Sequence, residues 1–468
     1  PSSPGRCRQD TNPNNKIMGA FHAYDIRGIY NVDFDRETAY KVAYFIPELL
    51  GTDKVAVGRD CRVSSDEIHD AVLKGIADAG ADVYDLGLTT TPAVYFATAN
   101  CGFKASIQIT ASHNGPQYNG MKVSTENARA VGYDAGLKTI RQWIDEGRPT
   151  PVAAKRGSVH PLDVTEDYLA FLLRYKGDYS NIRIAMDLSN GMANLYAKRI
   201  FGDAPDYLFD ELDGRFPNHD PNPLIPKNIE ALQALVRKSG ADVGVIYDGD
   251  ADRVMFVDEN ARFISPDLMI AVLGRYFLVE RGEKGLVLQD IRSSKAVGEY
   301  LAPMGGEMRT WKVGRAFAAE KLREIDGVYG GELAGHYYFR DFFYSDSGLL
   351  ASIIILNVVS ALKKEGRTLS SLIAEIEKYE NSGEINFRLE DKAGAMEAVR
   401  EMFCAQEKPT AFMDFDGYRV EFPQWWFNIR PSNTEPYLRF ICEASSRELL
   451  DEKVAAVRKL LESEFGAK

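Results

Sequence analysis

Residues 104–124 read KASIQITASHNGPQYNGMKVS. The run Ala105 to Ile109 alternates and carries β-branched residues, which predicts a strand. At its carboxyl end it breaks into a small polar loop, with turn chemistry at Asn114-Gly115-Pro116 and again at Asn119-Gly120. One serine, Ser112, is presented there beside His113. Open α/β sheets keep their sites in loops at strand ends, so this segment marks a fold class and the first candidate for chemistry. The alternative is a capped turn in which Ser112 and Asn114 bond only local backbone.

The same pattern recurs along the chain. Lys54 to Arg62 (KVAVGRDCR), Asn181 to Gly191 (NIRIAMDLSNG) and Lys284 to Ser294 (KGLVLQDIRSS) each run a few apolar residues into a turn containing aspartate. Helical patterns follow, as in Asp66 to Gly80 and Asn228 to Gly240, each closing on a glycine suited to a C-cap. The alternation predicts α/β segments with mixed, mostly parallel sheets. From about Asn381 the pattern changes to two strand-like runs, Trp425 to Ile429 and Tyr437 to Cys442, before a helix over Ser446 to Phe465, which predicts a smaller α+β domain.

At 468 residues and 45% hydrophobic content the chain can build several cores. A net charge of -12 argues against nucleic acid or an anionic membrane as partner, because both need a basic face. Anionic ligands must then be held by local clusters of Arg and Lys. The five cysteines, Cys7, Cys61, Cys101, Cys404 and Cys442, form no close pairs, which fits a reducing, cytoplasmic setting. The most apolar stretch, Leu349 to Val359, is too short to span a bilayer and reads as a buried helix. Residues 1–17 read as a disordered leader or expression remnant, with Met18 as a start.

Val243 to Tyr247 predicts a buried strand running into Asp248, Asp250 and Asp252. In extended chain alternate side chains share a side. At ~4 Å each pair of carboxylates repels by about 4 kcal/mol near a protein surface. A divalent cation removes that cost, and three oxygen ligands suit magnesium. A solvated acidic turn is the bland alternative. An EF-hand would use Glu259 at its twelfth place, but Arg253 stands where that loop needs glycine, and a strand rather than a helix precedes it.

Two further loops carry chemistry. Gly330 to Phe339 (GGELAGHYYF) sets Glu332 and His336 four residues apart, a pair able to bond vicinal hydroxyls or move a proton. Arg430 to Arg439 (RPSNTEPYLR) gathers two guanidinium groups with Ser432, Asn433 and Thr434 between prolines, a set matched to phosphate oxygens. Each has a structural alternative, a satisfied loop histidine and a turn between strands. Neither a Walker A nor a GxGxxG pattern occurs.

These four segments, in this order and spacing, resemble the α-D-phosphohexomutase superfamily, and within it the bacterial phosphomannomutase/phosphoglucomutase group. The likeness runs from about residue 19 to the end and is supported by Ala23 to Gly28 (AYDIRG) and Asp213 to Leu224 (DGRFPNHDPNPL). The resemblance implies four domains around a central cleft: 18–157 with a phosphoserine loop, 158–260 with a metal loop, 261–380 with a sugar loop, and a mobile 381–468 with a phosphate loop. Ser112 would carry the phosphate, and Asp248, Asp250 and Asp252 with a Ser112 phosphate oxygen would bind magnesium. Arg27, His113, Lys122 and Arg253 would serve the transfer, with His336 as general acid and base. Glu332, Arg292 and Arg315 would contact substrate, and Arg430, Ser432, Asn433, Thr434 and Arg439 would clasp the phosphate that stays in place.

The implied reaction interconverts hexose 1-phosphate and hexose 6-phosphate, of glucose or mannose, through a hexose 1,6-bisphosphate that is both intermediate and activator, in a monomer or homodimer. Other readings are a phosphoglucosamine mutase, a hydrolase working through the same phosphoserine, and a non-catalytic sugar-phosphate binding protein. Four positions depart from the family pattern. Gly115 stands where proline is usual, Ala334 where serine is common, Arg315 where histidine is expected and Arg292 where lysine is common.

Overall fold

The computed structural model describes residues 19–432 and 437–467. The expected leader, residues 1–17, lies outside them, as do Asn433 and Thr434. The chain forms two compact units. One holds the described residues up to Thr165 with Asn190–Met192 and Leu212–Pro221. The other holds Glu166–Ser189, Ala193–Glu211 and the described residues from Asn222 onward.

The first unit is built on one sheet: β1 (Ile26–Ile29), β2 (Lys54–Arg59), β3 (Asp82–Leu88), β4 (Ala105–Ile109), β5 (Tyr118–Thr125), β6 (Arg129–Ala130) and β7 (Val159–Pro161). The order is β1-β5-β4-β2-β3-β7, with β6 on β5. Strand β4 covers the predicted Ala105–Ile109 and is buried throughout, because it sits mid-sheet with a helix layer against it. The helices Arg36–Leu50 and Ser65–Asp78 supply that layer, the first capped by Asp35 and closed by left-handed Gly51.

The second unit repeats the plan twice. Strands β8 (Ile184–Asp187), β9 (Asp206–Leu208), β10 (Val243–Tyr247), β11 (Val254–Asp258) and β12 (Phe263–Ile264) are ordered β12-β11-β10-β8-β9. Strands β13 (Gly285–Asp290), β14 (Gly306–Trp311), β15 (Tyr329–Gly331), β16 (Tyr337–Phe339) and β17 (Ser345–Asp346) are ordered β14-β13-β15-β16-β17. In all three sheets a central strand has parallel neighbours on both sides, and the next strand turns back antiparallel. The sheets are therefore evenly mixed rather than mostly parallel as the helix and strand alternation suggested. A hairpin needs few residues and leaves little trace in that alternation.

A fourth sheet is antiparallel: β18 (Glu380–Asn381), β19 (Ile385–Arg388), β20 (Ala411–Met413), β21 (Tyr418–Glu421), β22 (Trp425–Pro431) and β23 (Tyr437–Ala444). Helices Lys392–Gln406 and Arg447–Phe465 belong to the same α+β domain, and its core is rich in aromatic rings, Phe403, Trp425 and Phe427 among them. The buried helix expected over Leu349 to Val359 is present as Gly348–Lys364. Among the described residues no helix is long and apolar enough to cross a membrane.

Asn119-Gly120 is not a turn. Both residues lie inside β5, between β1 and β4. A Cβ at Gly120 would come within 2.1 Å of the Ile26 carbonyl, so glycine is there to let β1 approach. Buried Asn119 donates from its side-chain amide to Ser64 and Ser65 at 2.9 Å.

The third and fourth sheets are tied by buried polar contacts. Arg419 stacks on Trp426 and donates to the carbonyls of Ile291 and Ser293 at 2.9 and 2.6 Å. Glu443 accepts from Ser294, Trp426 and Asn381. Burial pushes its carboxyl up to about 7, and nearby Asp267 adds to the shift. A carboxyl whose pKa rises on folding binds more protons folded than unfolded, so stability falls as pH rises from about 4.5 to about 7. The shift is equivalent to about 3 kcal/mol. Glu443→Gln should flatten this slope in thermal melts from pH 5 to 8; equal slopes in both proteins would refute the assignment.

Candidate active site

Each of the four candidate loops is the reversal of a β-hairpin: β4 to β5, β10 to β11, β15 to β16, and β22 to β23. A tight reversal leaves backbone groups unpaired in the ladder, and something else must satisfy them.

In the first hairpin, Ser112 is 1% exposed and adopts the left-handed conformation, φ 52°, which is strained for a residue with a Cβ. Its amide donates to Thr110 Oγ1 at 2.9 Å. The His113 Nδ1 lies 3.5 Å from Ser112 Oγ, too far for a strong hydrogen bond. Arg27 sits opposite Gly120 on β1, and Lys122 follows two residues later on β5, so both rise from one face of the sheet. Arg27 donates to Asn114 Oδ1 at 2.9 Å and pairs with Asp25.

Beneath the loop lies Arg62, a residue the sequence reading did not single out. Its side chain is fully buried and pairs with Asp60. It also donates to the carbonyls of Ser112, Asn114 and Gly115, each at 2.7 Å, and of Tyr118 at 3.1 Å. The signal was present in the DCR of the first strand-and-aspartate motif. Asp60 Oδ1 accepts the Arg62 amide, an Asx turn that aims the arginine back under the neighbouring hairpin.

In the second hairpin, Asp248, Asp250 and Asp252 are each 0% exposed, and one carboxylate oxygen from each lies within 4.8 Å of the others. The EF-hand alternative fails here: a strand follows the loop, and Glu259 instead receives the Ser370 amide and hydroxyl. Arg253 bonds His336 of the third hairpin, Nε to Nε2 at 2.9 Å, and lies 3.8 Å from Asp248. A guanidinium can only donate, so His336 Nε2 accepts. Its Nδ1 then carries the hydrogen, donated to Asp346 at 2.6 Å. Asp346 also pairs with Arg315 Nε at 2.9 Å.

Glu332 is buried, accepts the Gly314 amide at 3.0 Å and the Tyr338 hydroxyl, and burial raises its carboxyl pKa. Arg292 grips both oxygens of Asp290. Burial opposes ionisation of Asp290, yet the Arg292 charge and the Arg292 and Leu333 amides hold its carboxyl below the usual range.

In the fourth hairpin, Ser432 donates its amide to the Tyr437 carbonyl and closes the reversal. Arg430 pairs with Asp416, whose other oxygen takes the Val313 amide. Arg439 pairs with Glu384, which also approaches Arg292 at 3.8 Å. The structure thus brings together Arg253, His336, Arg315 and the aspartate triplet, and joins Arg292 to Arg439 through Glu384. Ser112, His113, Arg27 and Lys122 belong to the other unit. Asp346, Asp416 and Glu384 were missed because single acids in ordinary context give no signal until folding places them against a cation.

Asp346→Asn keeps a partner for His336 but removes the charge facing Arg315. Turnover should fall by about tenfold to a hundredfold, less than the full contribution of a proton-transfer group, and melting temperature should fall with it because Arg315 keeps a charge without its carboxylate. Unchanged turnover would show that Asp346 does not orient His336.

Models for the four domains of phosphoglucomutase/phosphomannomutase match the chain in order: alpha/beta/alpha domain I over residues 18–150, domain II over 166–261, domain III over 265–379 and the C-terminal domain over 384–460. A phosphomannomutase of Escherichia coli is 35% identical over 461 residues, 95% of this chain and 99% of that protein. A phosphomannomutase of Methanocaldococcus jannaschii is 34% identical over 446 residues, 94% and 97% of the two chains. The crystal structure of a phosphoglucomutase/phosphomannomutase family protein from Burkholderia thailandensis matches with a TM-score of 0.85 at 28% identity, over 95% of this chain and 97% of that one.

Proposed function

The chain belongs to the phosphoglucomutase/phosphomannomutase family of intramolecular phosphotransferases, and from that premise we propose a magnesium-dependent interconversion of hexose 1-phosphate and hexose 6-phosphate through phospho-Ser112. The observation that carries the reading is the aspartate cluster. Three fully buried carboxylates drawn together in one hairpin are costly without a cation. An all-oxygen donor set suits a hard divalent ion with positions left for other oxygens. Asp248, Asp250 and Asp252 would hold the magnesium, which when bound would offset charge on the transferring phosphoryl group.

Phosphoryl transfer is mostly positioning and charge stabilisation. Ser112 would give its phosphate to one end of the sugar and take phosphate back from the other, with hexose 1,6-bisphosphate between. Arg27, Lys122 and Arg253 would steady the transferring group, with His113 beside the serine. His336 Nε2 would take and return the hydroxyl proton once the Arg253 N–H that it accepts turns to the transferring group, and its opposite nitrogen is held by Asp346. Glu332 would accept from sugar hydroxyls. Arg292, Arg315, Arg430 and Arg439, with Ser432, Asn433 and Thr434, would hold the phosphate that is not transferred. Division near residues 157, 260 and 380 gives each domain one such hairpin. The Gly-Glu-Leu-Ala-Gly-His loop is nearest the form linked with glucose and mannose phosphates rather than glucosamine phosphate, which supports those substrates.

Intact mass should show a fraction of the protein heavier by one phosphoryl group, lost in Ser112→Ala. Coupled assays with glucose, mannose and glucosamine 1-phosphates should show turnover with the first two, abolished by EDTA, restored by magnesium and absent in Ser112→Ala. Full mutase activity in Ser112→Ala would overturn the reading; steady phosphate release without isomerisation would replace it with hydrolysis.

A further inference from the structure

We propose that Arg62 is the positioning residue of the phosphate-carrying hairpin, an inference that rests on Ser112 being the carrier. A guanidinium has five N–H donors in a planar fork, and here their acceptors are Asp60 and the carbonyls of Ser112, Asn114, Gly115 and Tyr118. The ring of Phe216 lies 5.0 Å from the guanidinium carbon and covers it. Four carbonyls of one reversal thus point at a single buried cation.

Two consequences follow. Ser112 is held in the left-handed region, where its Cβ is disfavoured, by a bond to its own carbonyl and by bonds to residues on its far side. A trans peptide sets its N–H opposite its C=O, so the amides of His113 and Gly115 point away from the guanidinium. Amides turned to one side of a reversal form the nest that receives an anion. Arg62 therefore sets both the direction of Ser112 Oγ and the backbone donors around it, without touching substrate. It also does what a proline at 115 would do by restricting the chain: the Gly115 carbonyl is fixed at 2.7 Å, although its backbone is free of a ring. Lysine offers three donors and no fork, so it cannot hold the same five acceptors.

The test compares Arg62→Lys with Ile107→Ala, a core variant on β4 that loosens the same sheet away from the loop. In Arg62→Lys, kcat should fall by about a hundredfold, the cost of misplacing a reacting group by about an ångström. KM for glucose or mannose 1-phosphate should stay within about twofold, because the substrate contacts proposed for the other hairpins are untouched. Ile107→Ala, at a similar loss of melting temperature, should keep its kcat. An equal fall of kcat in both variants would make Arg62 merely structural, and wild-type kcat in Arg62→Lys would likewise overturn the proposal. If Arg62→Lys does not fold, Asp60→Asn, which leaves the arginine but frees its Nε, should lower kcat by about tenfold at unchanged KM, and unchanged kcat there would overturn it. Failure of the underlying reading is separate: it would appear as absent phosphate on Ser112 in the wild-type protein, whatever the Arg62 variants do.

Discussion

Three of the four candidate hairpins depend on an aspartate turn that grips them from the strand beside them. In each of the three α/β repeats the central parallel strand ends in an aspartate whose Oδ1 accepts the amide two residues on: Asp60 from Arg62, Asp187 from Ser189, Asp290 from Arg292. That turn then reaches across to the neighbouring reversal. Arg62 takes the carbonyls around Ser112, Ser189 Oγ donates to the Tyr247 carbonyl at the foot of the aspartate loop, and Asp290 accepts the Leu333 amide of the third hairpin. Reversals buried in this way need such partners, because an unsatisfied buried backbone group costs about as much as the bond it lacks.

Charge compensation is the second layer. The second unit buries more ionised groups than hydrophobic packing alone would tolerate, and it does so in pairs. Arg253, His336, Asp346 and Arg315 form one such chain of contacts, whereas Arg292 and Arg439 both face the exposed Glu384. Removing one partner from a buried pair leaves an uncompensated charge, typically worth about 3–5 kcal/mol. The arginines assigned to substrate phosphate are therefore already paired with carboxylates, Arg430 with Asp416 and Arg439 with Glu384. A phosphate dianion binding there competes with a carboxylate for a directional donor, which favours the ligand with more oxygens and more charge.

Much of this was legible in the sequence, and the reason is periodicity. Strand β4, strand β10 and the helix closing at Gly240 were readable because apolar residues, caps and glycines repeat at the spacing each element demands. The three strand-and-aspartate motifs showed the repeat itself. Antiparallel returns were not readable, since a strand of three residues such as Tyr337–Phe339 has no period to detect. Asn119-Gly120 misled for a related reason: glycine marks a close approach of β1 as well as it marks a turn. Arg62 and Asp346 were hidden because their partners lie distant in sequence or in an unremarkable local context, and only the hairpins bring them together.

Three of the four positions that depart from the family pattern gain a physical sense from the same contacts, and nothing in the structure explains Ala334. Arg292 must hold both oxygens of Asp290, and a lysine would meet them with a point charge rather than a fork. Arg315 keeps a permanent charge against Asp346, and that carboxylate in turn fixes which nitrogen of His336 bears the hydrogen. A histidine at 315 would make that pairing depend on its own protonation, whereas arginine removes the dependence across the physiological range. Gly115 loses the stiffness of a proline, but its carbonyl is anchored by Arg62, so the loop draws its order from a buried cation instead of a ring. At 315 and 115 the constraint moves from titratable or covalent chemistry to a fixed guanidinium, at 292 from a point charge to a fork, and the hairpins around them stay satisfied.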